Sequence, residues 1–262
     1  MHRPRIGIPL CLDDRGRWRA QRAYHYIDRS YADAIDRAGG MALYLPIQHD
    51  VDALVAEIDA LLLPGGDDLP PDAPLPPEIE AQLDLAPAEQ VAFDRMLFER
   101  ARAAGRPVLG ICYGMQLMAL AAGGELDAHL PSQRPEAGPH RLPPEARHPI
   151  AIVPGSRLAA IAGAGDADVG SLHHQGVRRP GRDQRVVARS ADGMIEAIER
   201  APDGELDATD RPARPDVALE GRARPTRFEL GVQWHPEKQR DAFSTRLFVA
   251  FVDAARAGRA AR

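Results

Sequence analysis

A cysteine stands between two glycines in the segment Gly110-Ile111-Cys112-Tyr113-Gly114. An apolar run precedes the segment and apolar residues at helical spacing follow it, which predicts a sharp turn from a buried strand into a helix. Such a turn needs glycines on both sides because a Cβ would collide with nearby backbone. The helix N-terminus would favour thiolate over thiol. The pattern predicts a nucleophilic cysteine, although G-x-C-x-G alone would also fit a buried cysteine between loop glycines.

A histidine and a glutamate follow another predicted buried strand, in the segment His235-Pro236-Glu237. A cysteine nucleophile needs a base to take and return a proton, and a third group to orient that base. Two residues along an extended chain place side chains on the same side, so Glu237 can reach a ring nitrogen of His235. Pro236 restricts the backbone between them. We therefore expect His235 and Glu237 to serve Cys112.

Two more segments carry polar or glycine-rich patterns. The first is Leu62 to Asp67 (LLPGGD), where a glycine pair could turn backbone N–H groups toward an anionic intermediate, or form an ordinary tight turn. The second is Ser171 to Gln175 (SLHHQ), which is typical of a substrate-binding loop. It would also fit metal binding, or simply polar residues at the protein surface. Adjacent histidines point in different directions, and no Asp, Glu or His set at ligand spacing accompanies them. We therefore expect no metal site.

The elements that must position these residues alternate between strand and helix. Apolar runs predict strands at 5–10, 41–46, 60–63 and 107–111, and apolar spacing predicts helices at 24–38, 52–58 and 89–104. Later patterns predict a hairpin over 184–190 and 193–199, a final strand at 228–234 and a closing helix at 245–255. Short strand–helix units predict parallel crossovers, with helices on both faces of one sheet.

Composition limits the classes of protein that the chain can form. The 262 residues are 44% hydrophobic and 27% charged, with a net charge of −5, which suits one α/β domain over residues 1–262 with loop insertions at 69–87 and 201–226. The acidic balance argues against nucleic-acid binding. Two cysteines make a disulfide framework improbable and favour a reducing compartment. With no signal peptide or membrane-length apolar run, we expect a soluble cytoplasmic protein.

Four motifs in order carry a family resemblance: L-P-G-G-D, G-I-C-Y-G-M-Q, S-L-H-H-Q and G-V-Q-W-H-P-E. The chain resembles class I glutamine amidotransferase-type hydrolases, and within them the gamma-glutamyl-gamma-aminobutyrate hydrolase branch, which is classed with the C26 cysteine peptidases. The likeness runs from about Ile6 to Phe251. It implies a flavodoxin-like open, mostly parallel sheet with helices on both faces and the site at the carboxyl ends of the strands.

The resemblance also assigns roles to matching residues. It implies a catalytic triad of Cys112, His235 and Glu237. It implies an oxyanion hole formed by the backbone N–H groups of Tyr113 and Gly66. The residues that it implies for binding the glutamyl end of the substrate are Gln116, His173, His174 and Gln175.

The expected activity is hydrolysis of a gamma-glutamyl amide to glutamate and an amine, with a small-molecule substrate and no cofactor. A gamma-aminobutyrate leaving group would fit putrescine breakdown, but the sequence leaves the amine open. One alternative is a glutaminase subunit that supplies ammonia to a separate synthase, which would predict low activity alone. Another is a non-catalytic regulatory protein on the same fold, and a metal-dependent hydrolase is a weaker one. A homodimer would be ordinary for an enzyme of this size.

Overall fold

The computed structural model describes residues 3–163, 165–202 and 227–260. The strands within these ranges are β1 (Arg5–Pro9), β2 (Cys11–Asp13), β3 (Tyr24–Tyr26), β4 (Met41–Leu45), β5 (Ala60–Leu63), β6 (Val108–Ile111), β7 (Glu125–Asp127), β8 (His148–Ile152), β9 (Ala167–Val169), β10 (Gly176–Arg179), β11 (Gln184–Ser190), β12 (Ile195–Arg200) and β13 (Glu229–Val232). The helices are α1 (Ser30–Arg37), α2 (Val51–Glu57), α3 (Pro77–Glu80), α4 (Ala88–Ala103), α5 (Tyr113–Ala121), α6 (Leu130–Gln133), α7 (Arg157–Ala162) and α8 (Ala242–Ala260), with a 3-10 turn at Pro236–Lys238.

Nine of these strands form one sheet in the order β4-β1-β5-β6-β13-β12-β11-β8-β9. Neighbouring strands from β4 to β13 are parallel, whereas those from β13 to β9 are antiparallel. Helices on both faces cover the sheet. The predicted open α/β sheet with helices on both faces is therefore confirmed, with parallel pairing from β4 to β13. The antiparallel part includes the hairpin that the sequence predicted, here formed by β11 and β12.

The core lies on the two faces of this sheet, as the alternation of side chains along β5 shows. Ala60 and Leu62 pack into a cluster with α1, α7 and α8, while Leu61 and Leu63 pack into a second cluster with α2, α4 and α5. All four side chains are fully buried. An apolar run buried on both faces is typical of a central parallel strand. Its burial fixes the position of β5 in the sheet, so that β5 and β6 end side by side.

The structure differs from the predicted elements mainly near the N-terminus. The predicted helix at 24–38 is wrong in its first part, because Tyr24–Tyr26 pairs with Cys11–Asp13 as a short antiparallel hairpin and the helix starts only at Ser30. The expected loop at 69–87 contains the short helix α3. Most of the insertion expected at 201–226 lies outside the described residues. None of the described helices is both long and apolar enough to cross a membrane.

Candidate active site

Cys112 occupies the turn between β6 and α5, as the sequence predicted. Its backbone has φ +51° and ψ −107°, a conformation that non-glycine residues rarely adopt. The turn is fixed on both sides, because the Cys112 N–H donates to Val232 at 2.8 Å and the Gly114 N–H donates to Pro64 at 3.1 Å. A Cβ on Gly114 would overlap the carbonyl oxygen of Leu63. This glycine therefore lets α5 start directly against the end of β5.

His235 and Glu237 follow β13, which is the parallel neighbour of β6. The register pairs Val232 with Ile111, so the histidine leaves the sheet at the same edge as Cys112. Nδ1 of His235 lies 2.7 Å from Oε1 of Glu237. The glutamate reaches back through the 3-10 turn that starts at Pro236, rather than along the extended chain that we expected.

The electrostatics of this pair favour a charged imidazole. Burial alone would lower the pKa of His235, but the Glu237 carboxylate and the Cys112 sulfur raise it to about 10. At neutral pH the ring is therefore an imidazolium between a carboxylate and the sulfur. The arrangement can thus support nucleophilic attack by sulfur, followed by proton donation from the imidazolium.

A chain of glutamines reaches the same sulfur. Nε2 of Gln233 donates to the Cys112 sulfur at 3.5 Å, while Nε2 of Gln116 donates to Oε1 of Gln233 at 3.3 Å and to the backbone oxygen of Gln175 at 3.0 Å. Gln233 is fully buried. The sequence patterns predicted no role for it, although its place immediately before Trp234-His235 on a strand end was a usable signal. Gln116 is thus held by protein groups at its amide nitrogen.

Backbone N–H groups are available beside the cysteine for an anionic oxygen. The N–H of Gly65 donates to the Tyr31 hydroxyl at 2.8 Å, which leaves Gly66 as the available member of the glycine pair. Within the described residues no acceptor takes the Gly66 N–H. Tyr113 is the first residue of α5, where an N–H has no acceptor within the helix. The ring of Tyr113 lies against Gly66, so the two predicted donors belong to neighbouring residues.

A buried carboxyl group accepts a hydrogen bond from the side chain of Tyr113. The Tyr113 hydroxyl donates to Oδ2 of Asp94 at 3.0 Å. Burial raises the pKa of Asp94 to about 7, although its hydrogen bonds with Tyr113 and Gln90 act to lower it. The side chain of Gln90 in turn accepts the Leu12 N–H at 2.7 Å. This network ties the residue after Cys112 to α4 and β2.

The predicted substrate-binding loop is held largely by protein contacts. Nε2 of His174 lies 2.6 Å from Oδ1 of Asp68. The Gln175 amide bonds both backbone groups of Leu69 at 2.9 Å and the Ala128 carbonyl at 3.1 Å. These contacts fix the segment after β5 against the loop. The roles of His174, Gln175 and Gln116 toward a substrate stay predictions.

His173 faces away from its neighbour, toward a buried cluster. Its Nε2 lies 3.6 Å from Oε1 of Glu196, and Nδ1 of His140 lies 3.4 Å from the same oxygen. These three residues form a group that could hold a metal ion. The sequence shows no such set at ligand spacing, and the expectation of no metal site stays a prediction. The three residues come from separate segments, which spacing along the sequence could not reveal.

Comparison with known proteins assigns the chain to a family. A family model for Peptidase C26 matches residues 4–206. The chain belongs to the peptidase C26 family. Members of this family and its relatives are hydrolases and glutamine amidotransferase-like proteins, so the predicted resemblance is confirmed. Cys112 lies within the matched residues, whereas His235 and Glu237 lie beyond them.

Several relatives of this peptidase C26 chain match nearly its whole length. "Putative glutamine amidotransferase Rv2859c" of Mycobacterium tuberculosis is 35% identical over 261 residues, which cover 97% of this chain and 75% of that protein. "Gamma-glutamyl-gamma-aminobutyrate hydrolase PuuD" of Escherichia coli K12 is 29% identical, covering 97% of this chain and 94% of that protein. The crystal structure of a putative GMP synthase subunit from Thermoplasma acidophilum matches with a TM-score of 0.62 and 16% identity, over 100% of this chain and 98% of that one. That match supports the fold alone.

Proposed function

We propose that this protein is a cysteine-dependent hydrolase of gamma-glutamyl amides, with Cys112 as nucleophile. The observation that carries the proposal is the position of Cys112, on a strained turn beside an imidazole that is held 2.7 Å from a buried carboxylate. Membership of a family of hydrolases and amidotransferases supports the same chemistry. The gamma-glutamyl class comes from the relatives named as gamma-glutamyl-gamma-aminobutyrate hydrolases.

In the proposed reaction the sulfur of Cys112 attacks the gamma-carbonyl carbon. The oxygen becomes an oxyanion and accepts hydrogen bonds from the N–H groups of Tyr113 and Gly66. The C–N bond then breaks, and the imidazolium of His235 gives its proton to the leaving amine. Water attacks the resulting thioester while His235 takes a proton, which releases glutamate and restores the thiolate. Glu237 orients the ring through both steps, and loss of one oxyanion donor costs about 100- to 1000-fold in rate.

The test is glutamate release from gamma-glutamyl-gamma-aminobutyrate, glutamine and a gamma-glutamyl peptide. Each substrate is assayed with the wild type, Cys112→Ala and Cys11→Ala. Cys11 is the matched control because it is the other cysteine of the chain and is also buried. We expect turnover of the aminobutyrate conjugate to be lost in Cys112→Ala and kept in Cys11→Ala. Full activity of Cys112→Ala would refute the mechanism.

A glutaminase that supplies ammonia to a synthase is the second candidate, favoured by the relative named as a glutamine amidotransferase at 35% identity. It predicts turnover of glutamine alone in the panel, at a low rate until a synthase is present. Preference for a gamma-glutamyl conjugate of a bulkier amine over glutamine would exclude it. If glutamine is the only substrate in the panel that is hydrolysed, the glutaminase function would replace the hydrolase proposal. Cys112 would remain the proposed nucleophile.

A further inference from the structure

The carboxylate of Glu196, in β12, is surrounded by imidazoles from three separate segments of the chain. Its Oε1 lies 3.4 Å from Nδ1 of His140 and 3.6 Å from Nε2 of His173. Nε2 of His148, at the start of β8, lies 3.7 Å from the same oxygen. The Glu196 side chain is fully buried, and neither of its oxygens has a hydrogen-bond partner within the described residues. A buried carboxylate needs a compensating positive charge.

The tautomer of His173 is fixed by its second nitrogen. Its Nδ1 lies 2.8 Å from the backbone oxygen of Gln175, which can only accept, so Nδ1 carries the proton. In the neutral ring Nε2 therefore presents a lone pair toward Glu196. Both Nε2 of His173 and Oε1 of Glu196 lack a hydrogen-bond partner within the described residues. Two buried acceptors that face each other need either a proton or a metal ion between them.

His140 shows a similar arrangement, with a carboxylate behind the ring. Its Nε2 lies 3.0 Å from Oδ2 of Asp192. The same Oδ2 accepts the Gly138 N–H at 2.9 Å, and Oδ1 accepts a hydrogen bond from the Ser190 hydroxyl. With this carboxylate as the acceptor for Nε2–H, Nδ1 of His140 faces Glu196, and the Ser171 hydroxyl lies 3.5 Å from the same nitrogen. A carboxylate behind an imidazole is the arrangement that orients histidine ligands of metals.

We propose that Nδ1 of His140, Nε2 of His173 and Oε1 of Glu196 bind a Zn²⁺ ion. Zinc bonds of 2.0–2.1 Å in a tetrahedron place donor atoms about 3.4 Å apart, which is close to the 3.4 and 3.6 Å found here. All three donor atoms lie within 4.8 Å of one another. His148 stands 3.7 Å from the same carboxylate oxygen but lies outside this group of three, so the fourth position of the tetrahedron is left for water. Imidazole with one carboxylate suits zinc rather than calcium or magnesium.

Charge and burial assign this ion a structural role. Three neutral imidazoles, Glu196 and Asp192 together carry a charge of −2, which Zn²⁺ neutralises. The three proposed ligands are each less than 9% exposed, so burial keeps the ion away from a substrate. The backbone oxygen of Gln175 bonds both His173 and Gln116, so the ion would anchor this loop beside the helix of Cys112. This inference is independent of the proposed activity.

The experiment is a Zn²⁺ titration of chelator-treated full-length protein by calorimetry, with native mass spectrometry for stoichiometry. Co²⁺ is the spectroscopic probe, because tetrahedral Co²⁺ absorbs strongly in the visible region and a thiolate ligand adds a charge-transfer band. We expect one ion per chain, a tetrahedral Co²⁺ spectrum and no thiolate band. Binding should be unchanged in Cys112→Ala, which removes the competing Cys112–His235 pair.

Substitutions distinguish the proposed zinc ligands from the residues that only lie beside them. Glu196→Gln and His173→Gln should abolish stoichiometric binding, and Asp192→Asn should weaken it by about 10- to 100-fold because it leaves all ligands in place. His129→Gln is the matched control, since His129 is also buried and its Nδ1 lies 3.0 Å from Ser132, outside the cluster. Circular dichroism checks that each variant is folded. Should Glu196→Gln fail to fold, Asp192→Asn and anomalous diffraction of wild-type crystals at the zinc edge carry the test.

Three results would overturn the proposal. The first is a wild type that binds no Zn²⁺ and crystals without an anomalous peak in the cluster, which would leave a protonated imidazole as the compensating charge. The second is zinc binding that survives in folded Glu196→Gln and Asp192→Asn at wild-type affinity. The third is binding that disappears in Cys112→Ala together with a thiolate band, which would place the ion at the cysteine.

Discussion

The side-chain amide of Gln175 pairs with both backbone groups of Leu69, accepting its N–H and donating to its carbonyl, each at 2.9 Å. The two residues are far apart in the sequence, and both are at most 2% exposed. The amide therefore pairs with Leu69 in the way that the backbone of a neighbouring β-strand would. It fixes the segment after Gly66 and the loop after Ser171 in one position relative to Cys112.

Gln175→Leu should destabilise the protein because it keeps the size of the side chain but leaves the backbone groups of Leu69 unpaired. Each unpaired buried group costs about 1–3 kcal/mol. We expect a lower free energy of unfolding and a reduced kcat/KM, measured by urea denaturation and the glutamate assay. Gln82→Leu is the control, since Gln82 makes an exposed hydrogen bond to Glu78. Equal stabilities of the two variants would contradict a stabilising role for the hydrogen bonds between Gln175 and Leu69.

The two cysteines should differ sharply in reactivity. Burial and the nearby Asp94 and Asp67 carboxylates raise the pKa of Cys11 to about 12, so this thiol stays protonated at neutral pH. Cys112 lies beside His235 at the strand ends, and its sulfur is the nucleophile of the proposed reaction. Brief treatment with iodoacetamide should therefore alkylate Cys112 alone, as measured by peptide mass mapping. Labelling of Cys11 at a similar rate would disprove the difference, and labelling of Cys112 should slow in His235→Gln.

The charged state of His235 predicts how stability depends on pH. Its pKa is about 10 in the folded protein, against an ordinary value of 6.5. The folded state thus holds a proton that the unfolded state loses, and the stabilisation is fully present below pH 6.5 and lost as the pH rises through about 10. The maximum slope is about 1.4 kcal/mol per pH unit.

Urea denaturation across this range measures that contribution. The free energy of unfolding of the wild type should fall more steeply with rising pH than that of His235→Gln, and the two slopes should agree below pH 6.5. Glu237→Gln should also flatten the curve, because it removes the carboxylate that holds the proton. Parallel curves for wild type and His235→Gln would mean that the ring is neutral in the folded protein.

The backbone of Cys112 predicts a conflict between stability and activity. Residues held in sparsely populated conformations cost about 1–3 kcal/mol, and glycine adopts positive φ without that cost. We expect Cys112→Gly to be more stable than Cys112→Ala by on the order of 1 kcal/mol, because alanine keeps the Cβ at φ +51°. Thermal denaturation compares the two variants, and neither should turn over substrate. A less stable glycine variant would show that the turn is not strained.

The elements that carry local patterns could be predicted from the sequence, and those assembled from distant segments could not. Cys112 and the pair His235–Glu237 follow strand ends within short motifs, so their shared edge follows from the rules of parallel sheets. The β2–β3 hairpin was missed because the apolar spacing of Tyr24, Ile27 and Tyr31 imitates a helix. The hydrogen bond of Gln233 to sulfur depends on the register of β13, which sequence patterns do not specify.

The buried histidine cluster shows the same limit. His140 lies in a proline-rich stretch without regular structure, His173 in a loop and Glu196 in a strand. The first two segments meet through the bridge between Arg141 and Leu172 and through the hydrogen bond from the Ser171 hydroxyl to the His140 carbonyl. The local sequence patterns carry no sign of that pairing.

The parallel pairing of β13 with β6 makes the chemistry of this protein a late event in its synthesis. A growing chain presents the Cys112 turn long before His235 leaves the ribosome, and the imidazole reaches the sulfur only when β13 inserts between β6 and β12. Insertion of a strand into the middle of a sheet closes a very long loop, which is slow compared with forming local hairpins. An incomplete chain therefore carries Cys112 without His235, and completion of the sheet is what unites the two.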